Sequence, residues 1–492
     1  MNPSPPAGYD VVVVGGGPAG SAAATLVAKR GHRVLLLEKH QFPRYQIGES
    51  LLPSTVHGVC RMLGVYDEVM AAGFTLKRGG TFRWGKNPRP WQFSFAFSPR
   101  LADPTSFAYQ VERSTFDAIL LDGARRAGVE VRERFQVNAV ISDKARVRGV
   151  RCLDSDGRTH EFLAEHIVDA SGNTSRIHGA VGGKRVHSDF FRNLAVFGYF
   201  AGGGRMPEPN AGNIFCAAVE EGWLWYIPLR DDLTSVGAVI NPDNVKAVQQ
   251  DAEGTWRRMI DSSPELKPLL CGVPRAVQAP YDQLRVRKDY SYWKARFWTP
   301  GMSLVGDAAC FVDPVLSSGV HLATYSAVLA ARAINSALAG ELTEERAFAE
   351  FESRYRREYG LFYEFLASFY DMHQDERSYF WKAKKITNVD AGELESFVDL
   401  VGGLVSGDKA LAAAASDMAA AVDKLPDNDD RRNPLFESAT IRSVFQQGSV
   451  LKDTALFGPA PEDTAPAVPG GLALSADGLS WTSNVGSGPI RT

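Results

Sequence analysis

Three glycines near the N-terminus, Gly15, Gly17 and Gly20, have the spacing of a nucleotide-binding turn. An apolar run at 10–14 precedes them and an alanine-rich segment follows, so a strand and a helix are expected on either side. Gly15 permits the tight turn, Gly17 removes the Cβ that would block a pyrophosphate, and Gly20 lets the helix pack closely on the strand. Glu38 ends the next apolar strand, where a carboxylate can hold ribose hydroxyls. The pattern predicts a dinucleotide site rather than an ordinary glycine turn.

A second strand-to-turn pattern occurs in LVGDAACFVDP, where Gly306 and Asp307 follow an apolar strand. An aspartate at this point can accept hydrogen bonds from a ribityl chain, and the N-terminus of the helix that follows can be directed at flavin and phosphates. A Gly-Asp dipeptide alone is common at strand ends, but the two patterns together favour FAD over NAD. Because the sequence contains no second glycine fingerprint, we expect the electrons to arrive from another protein.

The predicted strands and helices that position these residues alternate in part and are segregated in part, and they indicate an α/β (α+β) fold. The N-terminal strand-helix-strand unit predicts an FAD-binding Rossmann-like domain, and a helix at 115–127 and strands at 167–172 and 302–309 extend it. Short strand-like pieces between about 185 and 285 predict an antiparallel sheet in an interleaved substrate domain. The C-terminal segment is mainly helical, with a strongly amphipathic pattern within 343–385.

Domain boundaries follow from these changes of pattern. The last part of the chain is rich in Pro, Gly, Ser and Ala, which is typical of a loosely packed segment. The predicted segments are 1–76, 108–184 and 286–335 for the FAD-binding domain, 77–107 and 185–285 for the substrate domain, 336–458 for a helical C-terminal domain, and 459–492 for a flexible tail.

The composition excludes several classes of function. With 492 residues and a formal net charge of −3, the chain lacks the excess of positive charge that is typical of nucleic-acid-binding proteins. It contains no apolar run long enough to span a membrane and no secretory signal at the N-terminus. The five cysteines are far apart and form no CxxC pair, so neither a disulfide framework nor a metal site is expected. A reducing cytoplasm is the predicted location.

Two of the nine tryptophans, Trp223 and Trp225, lie two positions apart in GWLWYIPL at 222–229. Alternation of this kind places both side chains on one face of a strand. They can be an ordinary packed sheet face, or they can form a wall beside a reactive cofactor.

Taken together, these stretches resemble the flavin-dependent halogenases, a branch of the FAD monooxygenase superfamily, over about residues 9–385. The Trp-x-Trp-x-Ile-Pro motif is the most discriminating mark of that family, where it is associated with suppressing ordinary monooxygenation. Within that family, the sequence resembles the carrier-protein-dependent phenol halogenases of antibiotic pathways most. The motifs that carry the resemblance are the turn at 15–20, FPRYQIGESLLP at 42–53, KRGGTFRWG at 77–85, the tryptophan motif at 223–228, and GDAACFVDPVLSSGVH at 306–321.

The resemblance implies a chemistry. Reduced FAD, supplied by a separate flavin reductase, would react with dioxygen to give a flavin hydroperoxide that oxidises chloride to hypochlorous acid. Lys77 matches the family's catalytic lysine and would hydrogen-bond this acid or carry it as a chloramine. Trp223 and Trp225 would then be site-shaping residues that separate the flavin from the substrate.

The same resemblance suggests the remaining site residues. The turn from Pro314 leads to Ser318 and Gly319, whose amides can cradle chloride, although a serine there can equally cap the helix. Arg44 is expected at a flavin phosphate or as a loop cap, and Arg113 beside FAD or in a structural ion pair. The full set of expected cofactor-binding residues is Gly15, Gly17, Gly20, Glu38, Arg44, Ser50, Arg113, Asp307 and Pro314.

One position departs from a related branch. In free-tryptophan halogenases the residue that matches Leu316 is a glutamate that assists deprotonation of the ring, and leucine cannot do this. Its loss favours a substrate that activates itself, as a phenol does through its hydroxyl group. We therefore expect chlorination of a tyrosyl-type phenol, tethered to a peptidyl carrier protein. The alternatives are an aromatic hydroxylase of the same fold and a noncatalytic binder that has lost its flavin site.

Overall fold

The structure is a computed structural model. The predicted C-terminal helix is described as far as residue 371, and most of the predicted helical C-terminal domain lies outside the described residues. The described ranges are 8–84, 89–98, 101, 104–144, 146–188, 190–241, 244–288, 290–371, 393–404 and 471–482.

The N-terminal glycine turn lies in a parallel sheet, as the sequence predicts. The sheet runs in the order β18-β19-β10-β1-β2-β7. From β19 to β7, each strand is parallel to the next one in this order. All residues of β2 and β19 are buried, and so are those of β1 from Val11 onward, which is typical of a sheet covered on both faces. The strands are β1 (Tyr9–Val14), β2 (Val34–Glu38), β7 (Glu130–Glu133), β10 (Thr159–Asp169), β18 (Trp298–Thr299) and β19 (Met302–Leu304).

A hairpin arm extends this sheet from β10. β8 (Gln136–Asp143) pairs with β9 (Arg146–Leu153), which pairs in turn with the first half of β10. The stretch VEVRERFQV at 129–137 reads as one strand by its pattern, but this interpretation is wrong, because β7 and β8 are separate strands of different pairing. The chain turns between them at Arg134, whose φ of 63° is left-handed.

The second sheet has the order β16-β12-β15-β14-β13-β4-β5, and the segment 77–107 contributes β4 and β5 to it. Most neighbours are antiparallel, as predicted. The exception is β13, which pairs parallel with β4. The sheet is therefore mixed, because β4 and β5 from far earlier in the chain are added beyond β13. The strands are β4 (Gly79–Arg83), β5 (Trp91–Ser94), β12 (Leu194–Phe200), β13 (Ile214–Val219), β14 (Gly222–Arg230), β15 (Leu233–Ile240) and β16 (Arg285–Lys288).

The two faces of this sheet belong to different cores. Trp223, Trp225 and Cys216 join the large core shared with the FAD-type sheet. Leu224 and Tyr226, which alternate with the tryptophans, pack instead against helices on the outer side. The period of two along β14 therefore decides which residues face the nucleotide-binding half.

Short strands connect the two halves. β3 pairs with β6, and β17 lies between β11 and β20. The strands are β3 (Thr75–Lys77), β6 (Ala108–Gln110), β11 (Arg185–His187), β17 (Tyr292–Lys294) and β20 (Cys310–Phe311).

The helices cover the sheets, and within the described ranges none of them is both long and apolar enough to cross a bilayer. α5 to α7 lie inside the segment where strand-like pieces dominate the sequence and predict an antiparallel sheet. Their apolar residues cover the outer side of the second sheet. The helices are α1 (Pro18–Ala28), α2 (Cys60–Leu63), α3 (Tyr66–Ala71), α4 (Arg113–Arg126), α5 (Val245–Gln250), α6 (Ala252–Ser262), α7 (Leu266–Leu269), α8 (Gly319–Leu338), α9 (Glu344–Asp371) and α10 (Glu393–Gly402).

Part of the predicted flexible tail is packed. β21 (Ala473–Leu474) and β22 (Trp481–Thr482) form a hairpin, and Trp481 is fully buried. The guanidinium groups of Arg332 and Arg354 lie 5.2 Å and 4.4 Å from the centre of its ring. The Trp481 amide also donates to Ser336 Oγ at 2.7 Å. The amino-acid composition predicted a loosely packed segment here, because an average over the segment does not reveal that one tryptophan is buried.

This anchor makes a stability prediction. Trp481→Ala should lower the free energy of unfolding by about 3 kcal/mol, since it removes a large buried side chain from the core. Urea unfolding followed by circular dichroism measures the change. Val277→Ala is the control, because Val277 is 84% exposed and should leave the midpoint unchanged. Equal midpoints for the two variants would mean that the hairpin adds nothing to the fold.

Candidate active site

The glycine turn between β1 and α1 is held by close backbone contacts. Gly15 has a φ of +105°, and a Cβ on it would lie 2.5 Å from the carbonyl oxygen of Ala170. A Cβ on Gly20 would lie 1.8 Å from the carbonyl oxygen of Gly15. No side chain fits at either position, so both glycines are required by the packing of turn, helix and neighbouring strand.

Gly17 differs, because the space beside it is open. The nearest heavy atom to a Cβ at this position is Nη2 of Arg44, at 3.3 Å. Glu38 closes the other side of the turn, where its Oε2 accepts a hydrogen bond from the Gly16 amide at 2.6 Å. The first turn of α1 thus presents backbone amides, a guanidinium and a carboxylate around open space, which suits a pyrophosphate and its ribose.

The two arginines share one carboxylate that sequence reasoning missed. Asp117 is fully buried and accepts hydrogen bonds from Nη1 of Arg44 at 2.8 Å and from Nε of Arg113 at 2.7 Å. Arg113 also donates to the carbonyl oxygens of Ile47 and Gly48, at 2.7 Å and 3.2 Å. Arg113 therefore forms the structural ion pair that the sequence left open, and it holds the loop that leads to Ser50.

The N-termini of α1 and α8 converge at Gly306. A Cβ on Gly306 would lie 3.2 Å from Cβ of Ala19 and 3.3 Å from Cβ of Ala323, so small residues set this approach. Asp307 follows at once, and burial raises the pKa of its carboxyl to about 6. The two helix termini, with their positive ends, thus meet beside the aspartate that the sequence assigned to the ribityl chain.

Polar atoms of the segment 49–50 are buried beside this junction. Tyr199 donates a hydrogen bond to Oε1 of Glu49 at 2.7 Å. Oε2 of Glu49 and Oγ of Ser50 are buried and have no partner among the residues that the structure describes. Such groups call for an external partner, and together with the open space at Gly17 they fit a bound FAD.

Lys77 ends β3 and is almost fully buried. Its Nζ donates to the carbonyl oxygen of Leu51 at 2.9 Å and lies 5.5 Å from the centre of the Phe95 ring. Burial lowers the pKa of this amine to about 7, with the nearby Cys216 thiol opposing the change. The ammonium and amine forms are therefore both accessible near neutral pH.

Cys216 links Lys77 to the turn before α8. Its thiol lies 3.9 Å from the carbonyl oxygen of Val315. In this turn Ser317 has a left-handed φ of 59°, and Ser318 is the N-cap residue of α8 but makes no side-chain capping hydrogen bond. A Cβ on Gly319 would lie 2.9 Å from the Phe311 ring, so glycine is needed there. The first amides of α8 lie at the positive end of the helix, where an anion is favoured.

Trp223 and Trp225 lie side by side on β14, with ring centres 6.0 Å apart. The ring of Trp225 lies over Gly237 of β15, where a Cβ would come within 2.1 Å of it. Trp223 donates through Nε1 to the Tyr370 hydroxyl at 2.5 Å. The pair is both a packed sheet face and a surface turned to the nucleotide-binding half, so the two interpretations are compatible.

Two further polar residues lie at this place and were not singled out as site residues from the sequence. Asp313 is buried, and its Oδ2 accepts a hydrogen bond from the Tyr370 hydroxyl at 2.9 Å. A charged residue inside the apolar stretch CFVDPVL is a usable signal for such a site. Tyr370 belongs to the amphipathic pattern within 343–385, which predicts a helix and gives no signal of a polar role. Among the described residues, no group of His, Cys, Asp or Glu is arranged to hold a metal ion.

A parallel nucleotide-binding sheet, a second sheet over its ligand side and an FAD-type turn define a flavin-binding oxidoreductase. The comparison with protein families makes this specific. The tryptophan halogenase family matches residues 10–101 and 97–431, and the chain belongs to that family of flavin-dependent halogenases. It is therefore an enzyme that uses FAD, dioxygen and halide, and not a noncatalytic binder of the same fold.

Individual relatives support the assignment. A tryptophan 2-halogenase of Chondromyces crocatus is 35% identical over 439 residues, which cover 87% of this chain and 82% of the relative. The flavin-dependent halogenase armH3 of Armillaria mellea is 32% identical over 74% of each chain. The structure of the myxobacterial chondrochloren halogenase CndH superposes with a TM-score of 0.75 at 49% identity, covering 96% of this chain and 99% of that one.

The open space at Gly17 gives a binding prediction. Gly17→Ala should weaken FAD binding at least tenfold, about 1.4 kcal/mol, because the added Cβ projects into the space meant for the pyrophosphate. Titration of the apoprotein with FAD, followed by flavin fluorescence, measures the affinity. Gly179→Ala is the matched control, since no heavy atom lies within 4 Å of its added Cβ. An unchanged affinity in Gly17→Ala would place the pyrophosphate elsewhere.

The burial of Lys77 gives a pH prediction. Its pKa is about 7 in the folded chain and 10.5 in the unfolded one, so the unfolded chain binds more protons between these values. Wild-type stability should therefore rise with pH in this window, by roughly 2 kcal/mol from pH 7 to pH 9 relative to Lys77→Met. Urea unfolding of the apoproteins at both pH values measures the difference, with the exposed Lys288→Met as control. A difference that does not change with pH would contradict the burial of an ionisable amine.

Proposed function

We propose that this halogenase chlorinates a tyrosyl-type phenol that is tethered to a peptidyl carrier protein in the cytoplasm. When bound and reduced by a separate flavin reductase, FAD passes electrons to dioxygen and so supplies the oxidising equivalent that converts chloride to hypochlorous acid. The residues of the chain bind the halide, direct the oxidised chlorine, exclude water and orient the ring.

The choice of a phenol rests on Leu316. This side chain is buried in the turn before α8, at the position where the free-tryptophan halogenases, a related branch, have a glutamate. An apolar residue there cannot assist in removing a proton from an unactivated ring. A phenol raises the electron density of its own ring through its hydroxyl group, and so it is the substrate class that needs this glutamate least.

Each site residue then has a role. The amides of Ser318 and Gly319 hold chloride at the N-terminus of α8, where the helix dipole favours an anion. Lys77, at the far side of Cys216, donates a hydrogen bond to hypochlorous acid or takes up its chlorine as a chloramine. The wall of Trp223 and Trp225 keeps water and ring apart from the flavin side.

An exposed aromatic residue near Trp223 supports the proposal that the substrate is tethered. Phe190 is 44% exposed, and its ring centre lies 6.2 Å from that of Tyr370, the hydrogen-bond partner of Trp223. A substrate carried on a long thioester arm can enter at such an exposed aromatic edge while its carrier stays outside.

Indole is the second candidate substrate class. The observation in its favour is the similarity to the Chondromyces crocatus relative named tryptophan 2-halogenase. Hydroxylation by the same fold is the remaining enzymatic alternative, and it differs in that the product gains oxygen and no chlorine.

The test is mass spectrometry of the products. The enzyme is supplied with FAD, a flavin reductase, NADH, air and chloride, and it is offered tyrosine, β-tyrosine and tryptophan, both free and loaded on a carrier protein. We expect a chlorine isotope pattern only on the loaded phenols. Lys77→Ala should abolish it, lowering the rate by at least about 100-fold because the charge-stabilising donor is lost.

Lys294→Ala is the matched control for the lysine. Lys294 on β17 is also buried and donates to a backbone carbonyl, that of Gly183, at 2.8 Å, whereas Lys77 donates to that of Leu51. Chlorinated tryptophan would favour the indole candidate, chlorinated free phenols would refute tethering, and oxygenated products without chlorine would indicate a hydroxylase.

A further inference from the structure

A chain of hydrogen bonds joins the tryptophan wall to the turn before α8. Trp223 donates to the Tyr370 hydroxyl at 2.5 Å, and that hydroxyl donates to Oδ2 of Asp313 at 2.9 Å. The other carboxylate oxygen of Asp313 accepts from the amide of Val315 at 3.0 Å. One buried carboxyl group therefore lies between the aromatic wall and the expected halide position.

The groups that face Asp313 come from four elements. They are the Tyr370 hydroxyl on α9, the Tyr290 hydroxyl in the segment before β17, the amide of Val315 in the turn, and the Cys216 thiol on β13. Lys77 lies beyond the thiol. Burial raises the pKa of the Asp313 carboxyl to about 7, although the Val315 and Tyr370 hydrogen bonds oppose it. A carboxyl group in this condition can take up and release a proton near neutral pH.

Aromatic chlorination releases a proton that such a group can accept. When a ring carbon forms its bond to chlorine, the same carbon must lose its hydrogen as a proton before aromaticity returns. Leu316 cannot accept this proton. Asp313 lies three positions earlier in the same turn. Among the described hydrogen bonds, only those of the Tyr370 hydroxyl link Asp313 to the tryptophan wall.

We propose that Asp313 receives, through Tyr370, the proton that the chlorinated ring releases. The ring C–H bond breaks and its electron pair returns to the ring. The proton forms an O–H bond with the Tyr370 oxygen while the hydroxyl proton of Tyr370 moves to Oδ2 of Asp313. No oxidant is consumed in this step. The proposal rests on the proposed function for the class of ring, but the step is the same for any arene.

Tyr370 suits the transfer because it is not fully enclosed. It is partly exposed and packs edge-on against Phe190 and Phe191, with ring centres 6.2 Å and 5.3 Å away. Its hydroxyl is therefore at the border between the aromatic surroundings of the wall and the buried carboxyl. Asp313 itself acts through Tyr370 and need not touch the ring.

The experiment compares the isotope effect of substrate deuterated at the ring positions in single turnovers of the FAD-loaded enzyme. In the wild type, loss of the proton is fast and the isotope effect should be absent. In Asp313→Asn and Tyr370→Phe, loss of the proton should become the slow step. The rate should then fall about 100-fold and a primary isotope effect should appear.

Tyr363→Phe is the matched control. Tyr363 lies on the same helix, packs on Phe191 with ring centres 5.3 Å apart, and bonds to Ser188 Oγ at 3.0 Å rather than to Asp313. It should keep the wild-type rate and show no isotope effect. Asp313→Asn preserves an acceptor for Val315, so a purely structural carboxyl predicts no isotope effect in this variant. A slower Asp313→Asn without an isotope effect, or one at the wild-type rate, would overturn the proposal.

A measurement without turnover provides a second test. Infrared difference spectra of the enzyme between pH 5 and pH 9 should contain a protonated-carboxyl band that titrates near pH 7 and is missing in Asp313→Asn. An identical set of bands in wild type and variant would also overturn the proposal. A wild type that chlorinates an arene other than a phenol contradicts only the proposed substrate class, since the isotope test then uses that arene.

Discussion

The close approach of two helix N-termini at Gly306 is the constraint on which the rest of the site depends. Cβ atoms of Ala19 on α1 and Ala323 on α8 lie within 3.3 Å of where a Cβ on Gly306 would be, so any larger residue would separate the helices. The Gly306 amide is held by Ser326 Oγ at 2.9 Å, which satisfies a buried donor at the junction. This packing brings the nucleotide turn of α1 and the turn before α8 to one place, although they are far apart in the chain.

The second sheet covers the site where the two turns meet, and the alternation of its side chains decides which residues face that site. On β14 every second residue faces the nucleotide-binding half, and those residues include Trp223 and Trp225. A shift of one residue in register would turn Leu224 and Tyr226 inward and the tryptophans toward α6. Gly237 on the neighbouring strand leaves the room that the Trp225 ring occupies, so the position of the wall is set by the pairing of β14 with β15.

Ionisable groups are concentrated where these two halves meet. Burial lowers the pKa of Lys77 and raises those of Glu49 and Asp313, in each case to about 7. The direction differs because burial disfavours the charged form, which is the protonated one for the amine and the deprotonated one for the carboxyls. One cause, the exclusion of water, thus brings the pKa values of one amine and two carboxyls close to neutral pH. Such groups are typical of sites that transfer protons.

Local patterns predicted much of this structure, because the features concerned are dictated by neighbours in the chain. The turn at Gly15 and Gly20, the parallel sheet around it and the position of Glu38 follow from steric rules and hydrophobic periodicity. Lys77 and the turn at Ser318 could be named as candidates from their motifs. The helices in the outer half of the second sheet were missed because strand-like pieces on either side dominated the pattern.

Long-range pairing alone decided the rest. The parallel pairing of β4 with β13, the burial of Trp481 and the contact of Asp117 with Arg44 join residues whose contacts leave no periodic trace in the sequence. The same is true of Asp313 and Tyr370, which are 57 positions apart and share one hydrogen bond. Residue types and their spacing therefore determined the class of chemistry. Which carboxyl, hydroxyl and amine are desolvated together was determined only by tertiary packing, because pKa values and hydrogen bonds depend on distance in space and not on distance along the chain.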